Sequence, residues 1–347
     1  MPDTLTSDPA PLVSVEGTAY DCGREYAAIV RERWPDYRIY LDMALEWTSL
    51  SGKVKKLFDA RAPHLLDLYR GYCDDAGPGA GTAPPAHEPS LCTSFGVSGR
   101  ATLDARPLSG QTKDTAAESA DLYIVLRIRM KDAPTILVLA YPGEILGYGM
   151  WSTGMTIFRN SLHSSAGAEH GLSMVQWGLL ALAGSTVDEA VDLAHAQGIA
   201  ESGNVLLSDN AGKSAAVEFN AGGVSVLHAE NGINVHANHP VGPETIPFGK
   251  PTGDTWHEDS LGRMARLADR LHAERGRLTA HKALHCLADH DRFPWGICNH
   301  APADRTPYTL TTAAVIADPQ AGQLHVVRGS PCANWPVTYC VNGTGGT

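Results

Sequence analysis

The chain has 347 residues, 43% of them hydrophobic, with a formal net charge of -11 and a mean hydropathy of -0.15. That length builds a substantial core in one large domain or two ordinary ones, and the acidic balance argues against nucleic acid or an anionic membrane as a partner. No apolar run approaches the roughly 20 residues of a membrane span. The opening "MPDTLTSDPAP" lacks the regions of a signal peptide and the closing "NGTGGT" carries no targeting signal, so a cytoplasmic location is expected.

In chain order, the first segment reads as helical. "DCGREYAAIVRERW" has Asp21 as its expected cap and Pro35 as its stop. "RIYLDMALEWTSL", "KVKKLFDA" and "PHLLDLYRGYCDDAG" continue the helical period, with Pro63 at a first-turn position. "GPGAGTAPPAHEPS" then reads as a linker, after which strands begin with "CTSFGVSG", "DLYIVLRIRM", "TILVLAY" and "MTIFRNSL". Helices return in "SMVQWGLLALAG" and "TVDEAVDLAHAQG". A second strand set, "NVLLSDNAGKSAAVEFNAGGVSVLHA", turns at Asp209–Gly212 and at Ala221–Gly223. Two further helices, "SLGRMARLADRLHAERG" and "AHKALHCLADH", precede a closing hairpin that turns at Asp318–Gly322. Strand clusters joined by hairpins and flanked by helices suggest antiparallel sheets sandwiched between helical layers, an α+β fold.

No phosphate loop occurs, and the glycines of "GYGMWSTG" are wrongly spaced for a dinucleotide fingerprint, so no cofactor is expected. The seven cysteines, Cys22, Cys73, Cys92, Cys286, Cys298, Cys332 and Cys340, include no CxxC pair, which gives no reason to expect a structural metal. A lone cysteine is most simply a small buried hydrophobe. Cys92 has more context, because it opens a strand directly after the linker. Breaking the Leu91–Cys92 bond would free an α-amine of pKa about 8 within reach of its own thiol, which supplies a nucleophile and a base from one residue. A linker that lets the old end leave and a strand that fixes the new one suit such a maturation.

These residues resemble the acyl-coenzyme A:6-aminopenicillanic acid acyltransferase (isopenicillin N acyltransferase) family of autoproteolytic N-terminal-nucleophile (Ntn) hydrolases. The resemblance runs in order through "VEGTAYDCGREYA", "LCTSFGVSGRAT", "ARPLSGQTKD", "NVLLSDNAGKSAAVE", "NVHANHP", "DSLGRMARL", "LADHDRFPWGICNH", "TLTTAAVIADP" and "RGSPC". It implies a four-layer αββα sandwich and a self-cleaving zymogen. Residues 1–91 would be the helical fragment with the linker, and 92–347 the catalytic fragment, held together non-covalently as one globular unit. It also implies amide-bond chemistry by hydrolysis or acyl transfer through a Cys92 thioester. The acyl donor, an amide or a thioester, would be a small acylated amino-acid-like metabolite of secondary metabolism, with water or an amine as acceptor.

Carried over residue by residue, Cys92 is nucleophile and base, Asn238 donates to the oxyanion, and Asp114 orients the new amine. Arg263 or Ser260 holds the amine or the substrate. Departures from the family pattern are Leu91 where glycine is common before the cysteine, Thr112 and Lys113 in "GQTKD", Trp151 in "GMWSTG", and Asn299 in "GICNH". Lys113 and Trp151 are thereby expected to reshape the substrate pocket.

Each residue also has a plainer reading. Asn238 caps a turn, Asp114 is a solvated carboxylate, Arg263 shares an exposed face with Arg266 and Arg270, and Trp151 is core. Two other functions compete: a metal-dependent amidohydrolase built on His236 and His239 with His290 or His300, and a non-cleaving carrier of the same fold.

Overall fold

The computed structural model describes residues 4–77, 91–250, 255–300 and 309–343. Apart from Gly77, the linker expected between the two segments lies outside them. The N-terminal segment holds β1 (Leu12–Gly17), α1 (Ala19–Arg33), α2 (Ile39–Ala44), α3 (Gly52–Arg61) and α4 (Pro63–Ala76). Then follow β2 (Leu91–Val97), β3 (Leu108–Thr115), β4 (Ile124–Met130), β5 (Ile136–Ala140), β6 (Tyr148–Trp151), β7 (Thr156–Asn160), α5 (Met174–Ala183) and α6 (Val187–Gln197). The remainder is β8 (Gly203–Ser208), β9 (Ser214–Asn220), β10 (Gly223–His228), β11 (Ile233–His236), α7 (Thr255–Ala273), α8 (Ala280–Leu287), β12 (Leu310–Asp318), β13 (Gln323–Arg328) and β14 (Val337–Cys340).

The strands form two sheets, one of eight strands in the order β1-β4-β5-β6-β7-β8-β9-β10 and one of six in the order β11-β2-β3-β12-β13-β14. Side-chain alternation along each strand divides the core into three layers. On β4, Ile124, Leu126 and Ile128 pack outward against Tyr26 of α1, Leu65 of α4 and Trp177 of α5. Between the sheets, Val125, Leu137 and Phe158 meet Ala313, Val315 and Val326. Beyond the second sheet, Phe95, Val97 and Ile316 pack against Leu267 and Leu271 of α7 and Leu284 and Leu287 of α8. Each such side chain contributes about 1.5–3 kcal/mol by leaving water. The layer order is αββα, as the resemblance implies, and none of the described helices is long and apolar enough to cross a membrane.

Two expectations need correction. The pairing of β1 with β4 is parallel, so the first sheet is not wholly antiparallel. Hairpin signals cannot report it, because a parallel partner is always reached by a long connection. The cap of α1 is Thr18, whose Oγ1 accepts the Asp21 N–H at 3.1 Å, and not Asp21. The helix does end before Pro35, and α5 begins with a reciprocal capping box between Ser173 and Gln176.

The segment 1–91 therefore contributes a strand to the larger sheet as well as its covering helices. Its helices α1 and α4 cross at a pair of glycines. A Cβ on Gly23 would stand 2.0 Å from the Leu68 carbonyl oxygen, and one on Gly71 would stand 2.0 Å from that of Tyr20. Backbone cannot retreat as a side chain can. Gly71→Ala is therefore expected to destabilise by about 1–3 kcal/mol or more. Gly52→Ala, whose Cβ would meet nothing within 4 Å, should be neutral or gain up to about 1 kcal/mol. Urea unfolding of the two variants checks this pair of outcomes.

Candidate active site

Alternation along β2 decides where Cys92 points. Thr93, Phe95 and Val97 face the α7–α8 layer, so Cys92, Ser94 and Gly96 face the other sheet. A Cβ on Gly96 would indeed press on Ser208 and Ser214 of β8 and β9. The neighbouring strand β3 follows the same rule. Lys113 stands directly across from Cys92 and Asp114 across from Leu91. Ser109, Gln111 and Lys113 reach the first sheet through Thr156 Oγ1, the Arg159 carbonyl and Tyr148 OH respectively.

The backbone of Cys92 is held at both ends. Its N–H donates to Asn238 Oδ1 at 3.0 Å, and its carbonyl accepts from Arg263 Nη1 at 2.8 Å and from Asn160 Nδ2 at 3.5 Å. Arg263 Nη1 also donates to Thr93 Oγ1 at 2.5 Å, and Nη2 donates to Asn238 Oδ1 at 2.9 Å. One guanidinium thus ties the strand to the turn that follows β11. Ser260, one helical turn before Arg263 on α7, accepts the Asn238 N–H and shares a hydrogen bond with His239 Nδ1, both at 2.8 Å. Asn238 Nδ2 donates to the Ser161 carbonyl at 2.8 Å.

Asp114 is fully buried. Burial pushes its carboxyl up to about 6 against the opposing pull of Arg263, Thr311 and Lys113. Oδ1 accepts from Thr311 Oγ1 at 2.7 Å, while Oδ2 has no hydrogen-bond partner among the described residues. A bulge in β12 between Thr311 and Ala313 turns Thr311 toward it.

Lys113 is 4% exposed. Its Nζ donates to Tyr148 OH at 2.7 Å and lies 4.2 Å from the centre of that ring, while Arg159 lies 4.3 Å from it and pairs with Glu144. Burial favours the neutral amine of Lys113, but Cys92 and Tyr148 more than offset this and raise its pKa overall.

The structure thus brings Cys92, Asn238, Ser260 and Arg263 into direct contact and sets Lys113 and Asp114 beside Leu91 and Cys92. It does not bring Trp151 there. Trp151 is buried on the far face of the first sheet, under the N-terminal helices and near the ring of His64. Arg263 is 2% exposed, which removes its reading as a surface charge. Arg266 and Arg270 reach Asp289 at the surface instead. Ser260, Arg263, Leu267 and Leu271 follow one helical stripe, and that stripe was the signal available in the sequence. Asn160, missed in the sequence, shares the inward alternation of Thr156 and Phe158 and also donates to the Ala237 carbonyl at 2.8 Å.

His236 and His239 do not make a metal site. Both ring nitrogens of His236 are already engaged, Nε2 with Glu218 Oε1 at 2.5 Å and Nδ1 with the Ala237 carbonyl at 2.8 Å. Burial, with His236 and His257 nearby, pushes His239 down to about 3.

The raised Asp114 carboxyl has a direct consequence for stability. Its folded value of about 6 lies above the ordinary value of about 3.9, so the stability that the neutral form provides at low pH is lost as pH rises through 6. An asparagine loses nothing. In a Cys92→Ala background, Asp114→Asn should add about 3 kcal/mol at pH 8 and about nothing at pH 4. Unfolding free energies across that range check it, and a difference independent of pH would contradict it.

Comparison with known proteins matches the acyl-coenzyme A:6-aminopenicillanic acid acyl-transferase family over residues 102–332. That stretch includes Lys113, Asp114, Asn160, Asn238, Ser260 and Arg263, and begins downstream of Cys92. No curated protein sequence matches the chain. Among solved structures, a mutant of conjugated bile acid hydrolase from Clostridium perfringens is similar, with a TM-score of 0.50 at 15% identity over 72% of this chain and 97% of that one. Penicillin V acylase from Agrobacterium tumefaciens matches with a TM-score of 0.35 at 16% identity over 69% of this chain and 75% of that one. The fold is that of the Ntn hydrolases. With two thirds of its length matched, the chain belongs to the acyl-coenzyme A:6-aminopenicillanic acid acyl-transferase family, a family of Ntn-type amide hydrolases and acyltransferases.

Proposed function

We propose that the chain is a precursor that cuts itself between Leu91 and Cys92 and then uses Cys92 to open the amide bond of a small acylated metabolite. The observation that carries this reading is the double clamp on the Cys92 backbone by Asn238 and Arg263. An inert buried thiol needs no such arrangement, whereas a residue that must become a fixed chain end does. In the cutting step the Cys92 thiol attacks the Leu91 carbonyl carbon, the C–N bond breaks as the nitrogen takes a proton, and water hydrolyses the thioester. The freed amine then faces Asp114, whose unpartnered Oδ2 offers an acceptor to the neutral amine and a buried counter-charge to the ammonium that forms once the amine has taken the thiol proton.

In the mature enzyme the same amine accepts the thiol proton and Cys92 attacks the substrate carbonyl. Asn238 is the donor proposed for the oxyanion. Its Nδ2 is given to Ser161 in the uncut chain, so that role belongs to the cut form, in which Oδ1 no longer holds an amide N–H. The acyl thioester passes to water or to an amine, with hydrolysis favoured where the pocket stays wet.

Lys113 supports the substrate class. Among the described residues it is a buried cation with no carboxylate partner, only the hydroxyl and ring of Tyr148. A buried charge is costly until it is compensated. The carboxylate of an N-acyl amino acid, lying beside the nucleophile, would supply the compensation.

Two measurements test the reading. Intact-mass spectrometry should find wild-type protein as two chains, the second beginning at Cys92, and Cys92→Ala as one. An uncut wild type that still turns over substrate would sink the maturation step. Against mature enzyme, an N-acyl amino acid should exceed its methyl ester in kcat/KM by about 10–100-fold, the range of a hydrogen bond to a charged group. Lys113→Met should abolish that preference.

A further inference from the structure

The four side chains His290, Cys298, His300 and Cys332 converge on one point. One ligand atom from each, two imidazole nitrogens and two thiol sulfurs, lies within 4.8 Å of all the others. His300 Nε2 stands 3.1 Å from His290 Nε2, 3.2 Å from Cys298 Sγ and 3.4 Å from Cys332 Sγ. A tetrahedral zinc ion, bound at about 2.05 Å by nitrogen and about 2.3 Å by sulfur, holds its ligands about 3.4 Å apart for two nitrogens and about 3.6 Å for nitrogen and sulfur. The three distances from His300 come close to three edges of that tetrahedron.

We propose that this cluster is a structural zinc site. Two thiolates and two imidazoles form a soft donor set suited to zinc, and four protein ligands leave no open position for catalysis. The outer shell fits as well, since Thr4 Oγ1 lies 3.4 Å from His300 Nδ1 and can fix the ring so that Nε2 faces the metal.

The placement gives the ion a purpose. Three ligands lie in the connection from α8 to β12, and Cys332 lies after β13. The loop carrying Cys332 is itself laced to the N-terminal strap, through Ser330 to Leu5 and Asn334 to Ser7. Between two of the ligands, Asn299 donates its N–H to Thr311 Oγ1 at 2.7 Å, and Thr311 donates to Asp114. The ion would therefore staple two chain segments, one of them laced in turn to the N-terminal strap, and hold the loop on which Asp114 leans. It would take no part in the chemistry, so this proposal stands whether or not Leu91–Cys92 is cut.

The test uses the full-length chain, produced without a histidine tag in zinc-supplemented medium and purified under reducing conditions. Elemental analysis should find one zinc per chain in wild type and also in Cys92→Ala. Cys332→Ser and His290→Ala, both at exposed positions, should bind zinc more than about 10-fold more weakly, beyond the loss of even an outer-shell partner. After chelation, Co2+ added to the stripped protein should give tetrahedral ligand-field bands with a thiolate charge-transfer band, and the latter should weaken in Cys332→Ser. Stripping should lower Tm, and added Zn2+ should restore it. The proposal is overturned if wild type neither carries nor takes up stoichiometric zinc, or if Cys298 and Cys332 are joined as a disulfide. It is overturned equally if the bound ion is lost in Cys92→Ala and kept in Cys332→Ser.

Discussion

A single buried guanidinium organises the centre of this molecule. Arg263 comes from the outer helix layer, crosses the face of the second sheet and meets three acceptors, the Cys92 carbonyl, Thr93 Oγ1 and Asn238 Oδ1. Placing a positive charge so far from water is costly, and the acceptors met by Nη1 and Nη2 offset much of that cost. The planar fork of arginine, unlike the point charge of lysine, spreads its protons over acceptors on two different segments. The strand that begins at Leu91 and the turn after His236 are therefore tied by this side chain, which reinforces the direct bond from Cys92 to Asn238 and the pairing of β2 with β11.

The remaining polar groups arrange themselves around that fixed point. Asn238 is gripped on its backbone by Ser260, on Oδ1 by Arg263 and Cys92, and on Nδ2 by Ser161. The turn just beyond is held by Glu218, which accepts from the backbone of Val241 and Gly242 and pairs with His236. Lys113 and Asp114 are neighbours in sequence but face opposite sides of the sheet. The pleat therefore delivers a cation to the inter-sheet face and a carboxylate to the helix face, with Leu91 and Cys92 paired across from them. Two unlike environments on either side of one peptide bond follow directly from the two-residue period of a strand.

Much of this was legible in the sequence. The turns at Asp209–Gly212 and Asp318–Gly322 fall between β8 and β9 and between β12 and β13, because tight hairpins announce themselves in glycine and Asx residues. Cys92 was singled out by the linker that precedes its strand, and Asn238 and Asp114 by resemblance to the family; the geometry shows which groups surround each of them. Long-range pairing was illegible, as with β1 on β4, since nothing local encodes a distant neighbour. The burial of Arg263 was masked by Arg266 and Arg270, which make the helix look charged all round until the stripe of Ser260, Leu267 and Leu271 is followed. Trp151 illustrates the opposite error. A departure from the family pattern drew attention to it, although the pleat places its indole on the far side of the sheet. His290 and His300 were weighed as metal ligands only in company with His236 and His239; their grouping with Cys298 and Cys332 escaped notice because that spacing fits no familiar metal motif and two chain segments must fold before the four meet.

The sequence separations across the site also set an order in time. The groups that clamp Cys92 lie 146 and 171 residues further along, and Thr311 lies 197 residues beyond Asp114. At a synthesis rate of about 5–20 residues per second, the thiol leaves the ribosome on the order of ten seconds before Arg263 exists. Throughout that interval α1 to α4 can form local structure while the surroundings of Cys92 remain unassembled. The late arrival of its partners acts as a timer, since the polar cage around Cys92 cannot form on a chain that is only half made.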